Sequence, residues 1–251
     1  MTIKLYELTG ANDCRPSPYC WRARMALAHK GLEAEFVTIG FLEKDKLEFS
    51  GQSLVPVLVD GNKTIADSWH IACYLDDAYP DRPSLLGGDI GMAEARFINA
   101  WAEPALVFAL FPMVVFDGFN ASNEEEYEYF RTSREGLFGR KLEEVQGDQD
   151  KMLPAFREGL APLRAALETR TMVPGDFREE VGRKRSSAET TPFLAGAQPA
   201  YIDYIVFSSF QWERIISNYE LLEKDDILWA WRERMLDLYD GYARSATRAV
   251  G

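Results

Sequence analysis

Histidine, cysteine and basic charge are scarce in this 251-residue chain, and each scarcity removes a class of function. There are two histidines, His29 and His70, and three cysteines, Cys14, Cys20 and Cys73. Neither histidine stands at metal-ligand spacing from a cysteine or from the other histidine, so no metal site is expected. Three cysteines cannot build a disulfide framework, and they fit a reducing compartment. Lysine and arginine number 28 against 40 aspartates and glutamates, a formal charge of −12 that leaves no broad basic face for nucleic acid. The longest apolar run, Ala105 to Phe116, is interrupted by Pro112 and is too short to span a bilayer. The opening Met1-Thr2-Ile3-Lys4-Leu5-Tyr6 passes straight into a strand-like pattern with no leader segment. No serine lies in a nucleophile-elbow glycine pattern, which argues against a Ser-His-Asp hydrolase. The expectation is a cytoplasmic protein that uses neither membrane nor nucleic acid as a partner.

What is present is enough for a packed core: 47% hydrophobic and 13% aromatic residues. The pattern changes character near residue 80. Ile3 to Leu8 alternates with period two, as a strand does. Ser17-Pro18 supplies a cap residue followed by proline at the first helical position, and Lys30-Gly31 is a favoured helix end. Residues 35–39 read as a second strand, and 55–66 as a hairpin turning at Asp60-Gly61-Asn62. Asp67-Ser68 opens a helix that runs to about Tyr79. The order β-α-β-α-β-β-α is that of a thioredoxin-like domain over residues 1–80. Pro80, Pro83 and Gly87-Gly88 mark a linker over 81–90. From 91 to 251 the helical period dominates, with candidate helices at 90–117, 124–146, 154–169, 200–217 and 226–241 and no convincing strand. The stretch from Thr171 to Thr191 reads as a charged, mobile loop, and its Gly182-Arg183-Lys184-Arg185 as a solvated run rather than a targeting signal. The fold class is therefore α/β plus all-α, a thioredoxin-like domain followed by a helical bundle.

The chemistry is concentrated in the first domain. Ser17-Pro18-Tyr19-Cys20 resembles the Cys-Pro-Tyr-Cys site of glutaredoxins with serine replacing the first cysteine. A helix N-terminus stabilises an anion through its free N–H groups and partial positive charge. With serine there, the protein keeps the anion site and loses its own nucleophile, while the hydroxyl can still donate to another molecule's thiolate. A plain helix cap is the simpler reading of Ser17 taken alone. Val55-Pro56 begins a strand, a pairing that a sheet edge allows because proline lacks the donor; a cis bond there would turn the Val55 backbone outward to pair with a peptide-like ligand. Asp67-Ser68 at a helix start can receive a ligand carboxylate, and Asp67 an ammonium group.

Together, Ser17-Pro18-Tyr19-Cys20-Trp21-Arg22, Val55-Pro56-Val57 and Asp67-Ser68-Trp69 resemble the glutathione-binding half of serine-type soluble glutathione transferases. Tyr74-Leu75-Asp76 and Tyr79-Pro80-Asp81-Arg82-Pro83 continue the match. The chain looks closest to fungal FuA-type glutathione transferases and bacterial glutathione-dependent lignin β-aryl etherases, through Ser133-Arg134-Glu135, Gly139, 142–146 and 236–241. The resemblance implies that Ser17 activates the glutathione thiol and that Val55 holds its cysteinyl backbone across Pro56. It also implies that Asp67 and Ser68 hold the γ-glutamyl end, and that Gln52 or Lys44 meets the glycyl carboxylate. Glutathione would be a co-substrate, and the assembly a homodimer. One departure is Ala200, where the family carries a capping Ser, Thr or Asn three residues before a buried aspartate, here Asp203; the missing cap costs about 1 kcal/mol.

Tyr19, Trp69, Trp101, Phe108, Phe111, Phe116 and Phe119 are candidates for an aromatic-lined pocket, although aromatics at helical spacing are more often core. Such a pocket suits aromatic electrophiles or aryl ethers. A carrier of hydrophobic aromatics such as polyphenols, a ligandin with little or no turnover, is the alternative. Cys20 reads as a buried helix residue. Cys14 stands in a loop, where exposure would open it to oxidation or a mixed disulfide with glutathione.

Overall fold

The computed structural model describes residues 2–169 and 189–250. The first domain holds a four-stranded sheet of β1 (Ile3–Leu8), β2 (Ala34–Ile39), β3 (Val57–Asp60) and β4 (Lys63–Ala66), in spatial order β2-β1-β3-β4. β1 runs parallel to β2 and antiparallel to β3, and β3 and β4 form the hairpin. Helices α1 (Pro18–Lys30) and α2 (Ser68–Ala78) pack against one another. α1 starts on Ser17 with Pro18 at its first position and ends on Gly31, whose φ of 63° suits a residue without a Cβ. Between β2 and β3 the predicted α-helix is replaced by a 3-10 segment, Lys44–Ser50. Only Leu47 of that segment is buried, too little apolar surface to seat an α-helix on the sheet.

The second domain is built from α3 (Gly88–Ala102), a π-turn (Glu103–Phe108), α4 (Ala109–Asn120), α5 (Tyr127–Phe138), α6 (Leu142–Gln146), α7 (Gln149–Gly159), α8 (Ala161–Leu167), α9 (Tyr201–Ile216) and α10 (Ile227–Gly241). Three expectations change. The helix predicted at 124–146 divides at Gly139, which takes φ 66°, and the one at 154–169 begins at Gln149 and divides at Leu160. Strand structure does occur beyond residue 90: β5 (Glu168–Thr169) pairs with β6 (Glu189–Thr190). The mobile loop expected over 171–191 and its basic run lie outside the described residues, apart from 189–191.

Pro112 does not end its helix. From Gly88 to Asn120 the chain runs on for 33 residues, long and apolar enough by length and composition to cross a bilayer. The bond that Pro112 forgoes is the one to Phe108, the last π-turn residue, where the hydrogen-bond register is already changing. In the fold this helix is the spine of the second domain, with Leu106, Leu110, Met113 and Val114 fully buried.

The two domains share one core. Leu5, Trp21 and Leu27 of the first domain belong to the same buried cluster as Tyr204, Phe207 and Trp231 of the second. Arg22, 1% exposed, crosses the seam and donates to Ser208 Oγ (3.2 Å) and Asn99 Oδ1 (2.9 Å). Asp203 is fully buried and accepts from the N–H groups of Leu194 (2.7 Å), Ala195 (3.2 Å) and Ala200 (3.1 Å) and from Trp231 Nε1 (2.9 Å). Burial nevertheless holds its carboxyl above the usual range. Ala200 has no side-chain oxygen to complete the reciprocal cap, so the start of α9 depends on Asp203.

Candidate active site

The seam opens into a cavity of about 350 Å³. Its first-domain wall is set by backbone and cap geometry. Ser17 caps α1, 7% exposed, with its Oγ accepting from Cys20 N–H at 3.3 Å. A hydroxyl is both donor and acceptor, and the cap bond uses only the acceptor side. The cap bond does not engage the Ser17 proton, which the neighbouring Cys20 thiol can also accept, so cap and thiolate donor are compatible roles for one side chain. Beside it stand Tyr19, Lys44, Leu54 and Val55.

The Val55–Pro56 peptide bond is cis. Pro56 carbonyl accepts from Asp67 N–H at 3.1 Å, which joins the start of β3 to the start of α2 and brings the two short motifs side by side. Asp67 caps α2, accepting from Trp69 N–H (2.9 Å) and His70 N–H (3.3 Å). Its φ of 76° and ψ of 137° are strained for a residue with a Cβ, a kind of strain that concentrates at ligand sites. The Asp67 side chain is 54% exposed, whereas Ser68 is buried and its carbonyl accepts from Tyr201 OH at 2.7 Å. Pro56, Asp67 and Ser68 therefore adjoin the cavity and are not part of its wall. Gln52 is also off the wall, which its neighbours Ser53 and Leu54 help to form.

The second-domain wall comes from the π-turn, α4, α5 and α9. The π-turn carries Val107 and Phe108 to the cavity, and its Glu103 accepts a short hydrogen bond from Tyr19 OH. Burial, with that bond second, raises the Tyr19 phenol well above its ordinary range, which keeps it protonated. Of the predicted aromatic lining, Tyr19, Phe108 and Phe111 stand on the wall. Trp69, Trp101, Phe116 and Phe119 do not. Trp69 and Trp101 pack half-buried on the main core, Trp69 with its ring 6.1 Å from Tyr201. Phe116 and Phe119 stack on each other at 5.8 Å against a satellite cluster around Phe130 and Val115. Helical rotation turns these four side chains to other faces.

Several wall residues carry no distinct local signal: Phe41, Leu54, Val107 and Trp212. Phe130 and Arg134 were legible in principle, since residues four apart on α5 share a face; Tyr129 joins them on the wall from the adjacent position. Among the described residues, Lys44 and Arg134 are the only charged groups on the wall, and both are cationic. Lys44 Nζ donates to Tyr129 OH at 3.0 Å, and this bond lowers the Tyr129 phenol below its ordinary range.

None of the three thiols stands on the cavity wall. Cys14 is fully buried, against the expectation of an exposed loop thiol, because its sulfur is packed beneath the Ala121 carbonyl at 3.9 Å; burial pushes it up to about 11. Cys20 is likewise buried and pushed up to about 12.

Residues 16–78 match the profile of the glutathione S-transferase N-terminal domain, and residues 93–243 that of the glutathione S-transferase C-terminal domain. This chain belongs to the glutathione S-transferase family. A glutathione S-transferase-like protein, ustS, of Aspergillus flavus is 26% identical over 73% of this chain, and the match spans 58% of that protein's length. Glutathione S-transferase Z1 of Arabidopsis thaliana is 41% identical over 26% of this chain and 31% of its own length. Among solved structures, glutathione transferase GSTFuA3 from Phanerochaete chrysosporium superposes with a TM-score of 0.71 at 24% identity, covering 97% of this chain and 94% of that one. A glutathione S-transferase of Ceriporiopsis subvermispora solved with glutathione gives 0.71 at 23% identity, with the same coverage. At these identities the likeness speaks for the fold: a thioredoxin-like sheet domain followed by a helical domain.

Proposed function

We propose that the protein is a glutathione transferase in which Ser17 donates a hydrogen bond to the thiolate of bound glutathione for attack on an aromatic electrophile. The observation that carries the reading is a helix-capping hydroxyl on the wall of a largely apolar cavity, with its proton uncommitted by the cap bond. Lowering a thiol from about 8.5 to about 6.5 needs roughly 2.7 kcal/mol of preference for the thiolate. One charge-assisted hydrogen bond at a helix N-terminus is of that size. The neighbouring Val55 backbone would pair with the cysteinyl unit of glutathione. The exposed Asp67 carboxylate, with the α2 N-terminus and Ser68, would take the γ-glutamyl end, and Lys44 the glycyl carboxylate. Aryl halides and lignin-type aryl ethers fit a wall with Tyr19, Phe108 and Phe111.

A carrier of hydrophobic aromatics is the second reading, favoured by Leu54 and Phe108, 67% and 60% exposed at the cavity. A panel of aryl halides and aryl ethers, assayed with and without glutathione, separates the two. Glutathione-dependent consumption supports the transferase; tight polyphenol binding with no turnover across the panel supports the carrier. The reading includes a homodimer: Ile90 and Phe97, seven residues apart on α3 and 78% and 70% exposed, form an apolar stripe that a second copy would cover.

A further inference from the structure

Arg134 is out of keeping with the electrostatics around it. The chain carries twelve more acidic than basic residues, 40 against 28, yet no carboxylate of the described residues lies within 4 Å of this guanidinium. Three positions earlier on α5, Arg131 pairs with both Glu135 (2.8 Å) and Glu143 (2.7 Å). Arg134 instead donates to Ser133 Oγ at 2.7 Å and lies among aromatic rings: Phe130 at 4.3 Å, Phe41 at 5.1 Å and Tyr129 at 5.6 Å from ring centroid to guanidinium carbon. These rings hold the planar cation by cation–π attraction without neutralising it. Burial depresses its pKa, and the neighbouring Tyr129 phenol offsets that only in part. It stands on the cavity wall, and beside it Tyr129 OH accepts from Lys44 Nζ. With its acceptor side so used, the Tyr129 proton is free for a ligand.

A desolvated, aromatic-bedded guanidinium with no carboxylate of the described residues within 4 Å, next to a phenol donor, is an anion subsite inside an otherwise apolar cavity. Its position on α5, in the wall opposite the Ser17 cap's domain, assigns the anion to the second substrate. We propose that Arg134, assisted by Tyr129, binds an anionic group on the aromatic co-substrate, so that the site selects electrophiles carrying a carboxylate, sulfonate or ionised phenol over neutral ones. This selectivity rests on the glutathione transferase reading for its chemical consequence, but the charge preference can be measured separately. The same anion chemistry could be supplied by the glycyl carboxylate of glutathione, and the experiment distinguishes the two sources.

The probe is the pair 4-chloro-3-nitrobenzoate and its methyl ester, which differ in charge and little in shape. Each is used to displace the neutral dye Nile red from the wild-type protein saturated with glutathione, and each is then assayed as a substrate. The expected result is that the carboxylate displaces the dye about 10- to 100-fold more tightly than the ester, the size of one forked charge-assisted interaction. Arg134→Met should bring that ratio to about one, with Arg134→Lys between. The accompanying kinetic loss should fall on KM for the carboxylate substrate. Equal displacement by carboxylate and ester in the wild type, which needs no variant to fold, would overturn the proposal. So would an Arg134→Met defect that appears in KM for glutathione, since that assigns the arginine to the glycyl end. Charge-selective displacement with no turnover of either compound would leave the subsite standing and sink the transferase reading. Turnover without charge preference would do the reverse.

Discussion

The two walls of the cavity were made by different kinds of physical cause. On the first-domain side, position follows from short-range chemistry: Ser17 is fixed by its own cap bond, Val55 by the cis bond to Pro56, and Asp67 by capping α2 while its N–H reaches back to Pro56. The second-domain side is assembled from residues more than one hundred positions apart, from Val107 to Trp212, and is shaped by a π-turn. The first wall is cap and backbone, suited to a ligand of fixed structure. The second is side chain, aromatic and cationic, suited to carrying specificity.

The contrast explains what could be read from the chain directly. Caps, turns and hairpins declare themselves within four or five residues, so β1, α1, the β3–β4 hairpin and α2 were legible almost to their ends. Gly31 and Gly139 show both sides of this: each takes positive φ at a helix end, but only the first was read as a stop. Pocket membership depends on the rotation of a helix about its axis. Phe108 and Phe111 reach the cavity, while Phe116 and Phe119 on the same helical spine pack on the cluster behind it, which Phe111 also touches. Composition cannot sort these, because the hydrophobic run is apolar on nearly every face. The π-turn has no sequence signature beyond Pro104, yet it decides which side chains reach the site. Arg134 sat in a recognisable motif with no role to attach to it until its neighbours were known.

The largest effect should come from beneath the first wall. Glu7 is fully buried and accepts from Arg15 Nε (2.8 Å) and from Arg24 Nε (2.5 Å) and Nη2 (2.7 Å), tying the strand to the loop that delivers Ser17. Glu7→Ala leaves the largely buried Arg24 without its carboxylate and Arg15 with Asp13 alone, and should lower unfolding free energy by about 3–5 kcal/mol in denaturant titration. A loss under 1 kcal/mol would show that the first wall does not depend on this buried hub.

A smaller change of opposite sign belongs to the second wall. Ala200→Ser restores the missing half of the cap on α9, which carries Trp212, and should raise stability by about 1 kcal/mol. No gain would mean that Asp203 alone already satisfies the start of α9.

The smallest effect probes the bond between walls. His29 on α1 meets Tyr204 OH of α9 at Nδ1 (2.7 Å) and the Ser84 carbonyl at Nε2 (3.0 Å). The carbonyl requires Nε2 to donate, while Nδ1 sits within reach of two phenols, Tyr204 OH and Tyr239 OH (3.3 Å). Burial, the leading cause, lowers its pKa, so protonation favours the unfolded chain. This contribution is fully present above the unfolded value of about 6.5 and falls as pH drops below it. His29→Gln should flatten that part of the stability profile, and an unchanged slope between neutral and mildly acidic pH would locate the titration elsewhere.

The central claim concerns one proton on Ser17, and the most direct measurement is the pKa of the bound glutathione thiol, read by ultraviolet thiolate absorbance in wild type and Ser17→Ala. The wild type should hold the thiol about two units below its ordinary value near 8.5. In Ser17→Ala the pKa should rise back toward that value, and turnover should drop about 10²-fold or more while glutathione affinity stays within a few-fold. The same thiol pKa and the same turnover in both proteins would contradict the account and leave Ser17 as a helix cap alone.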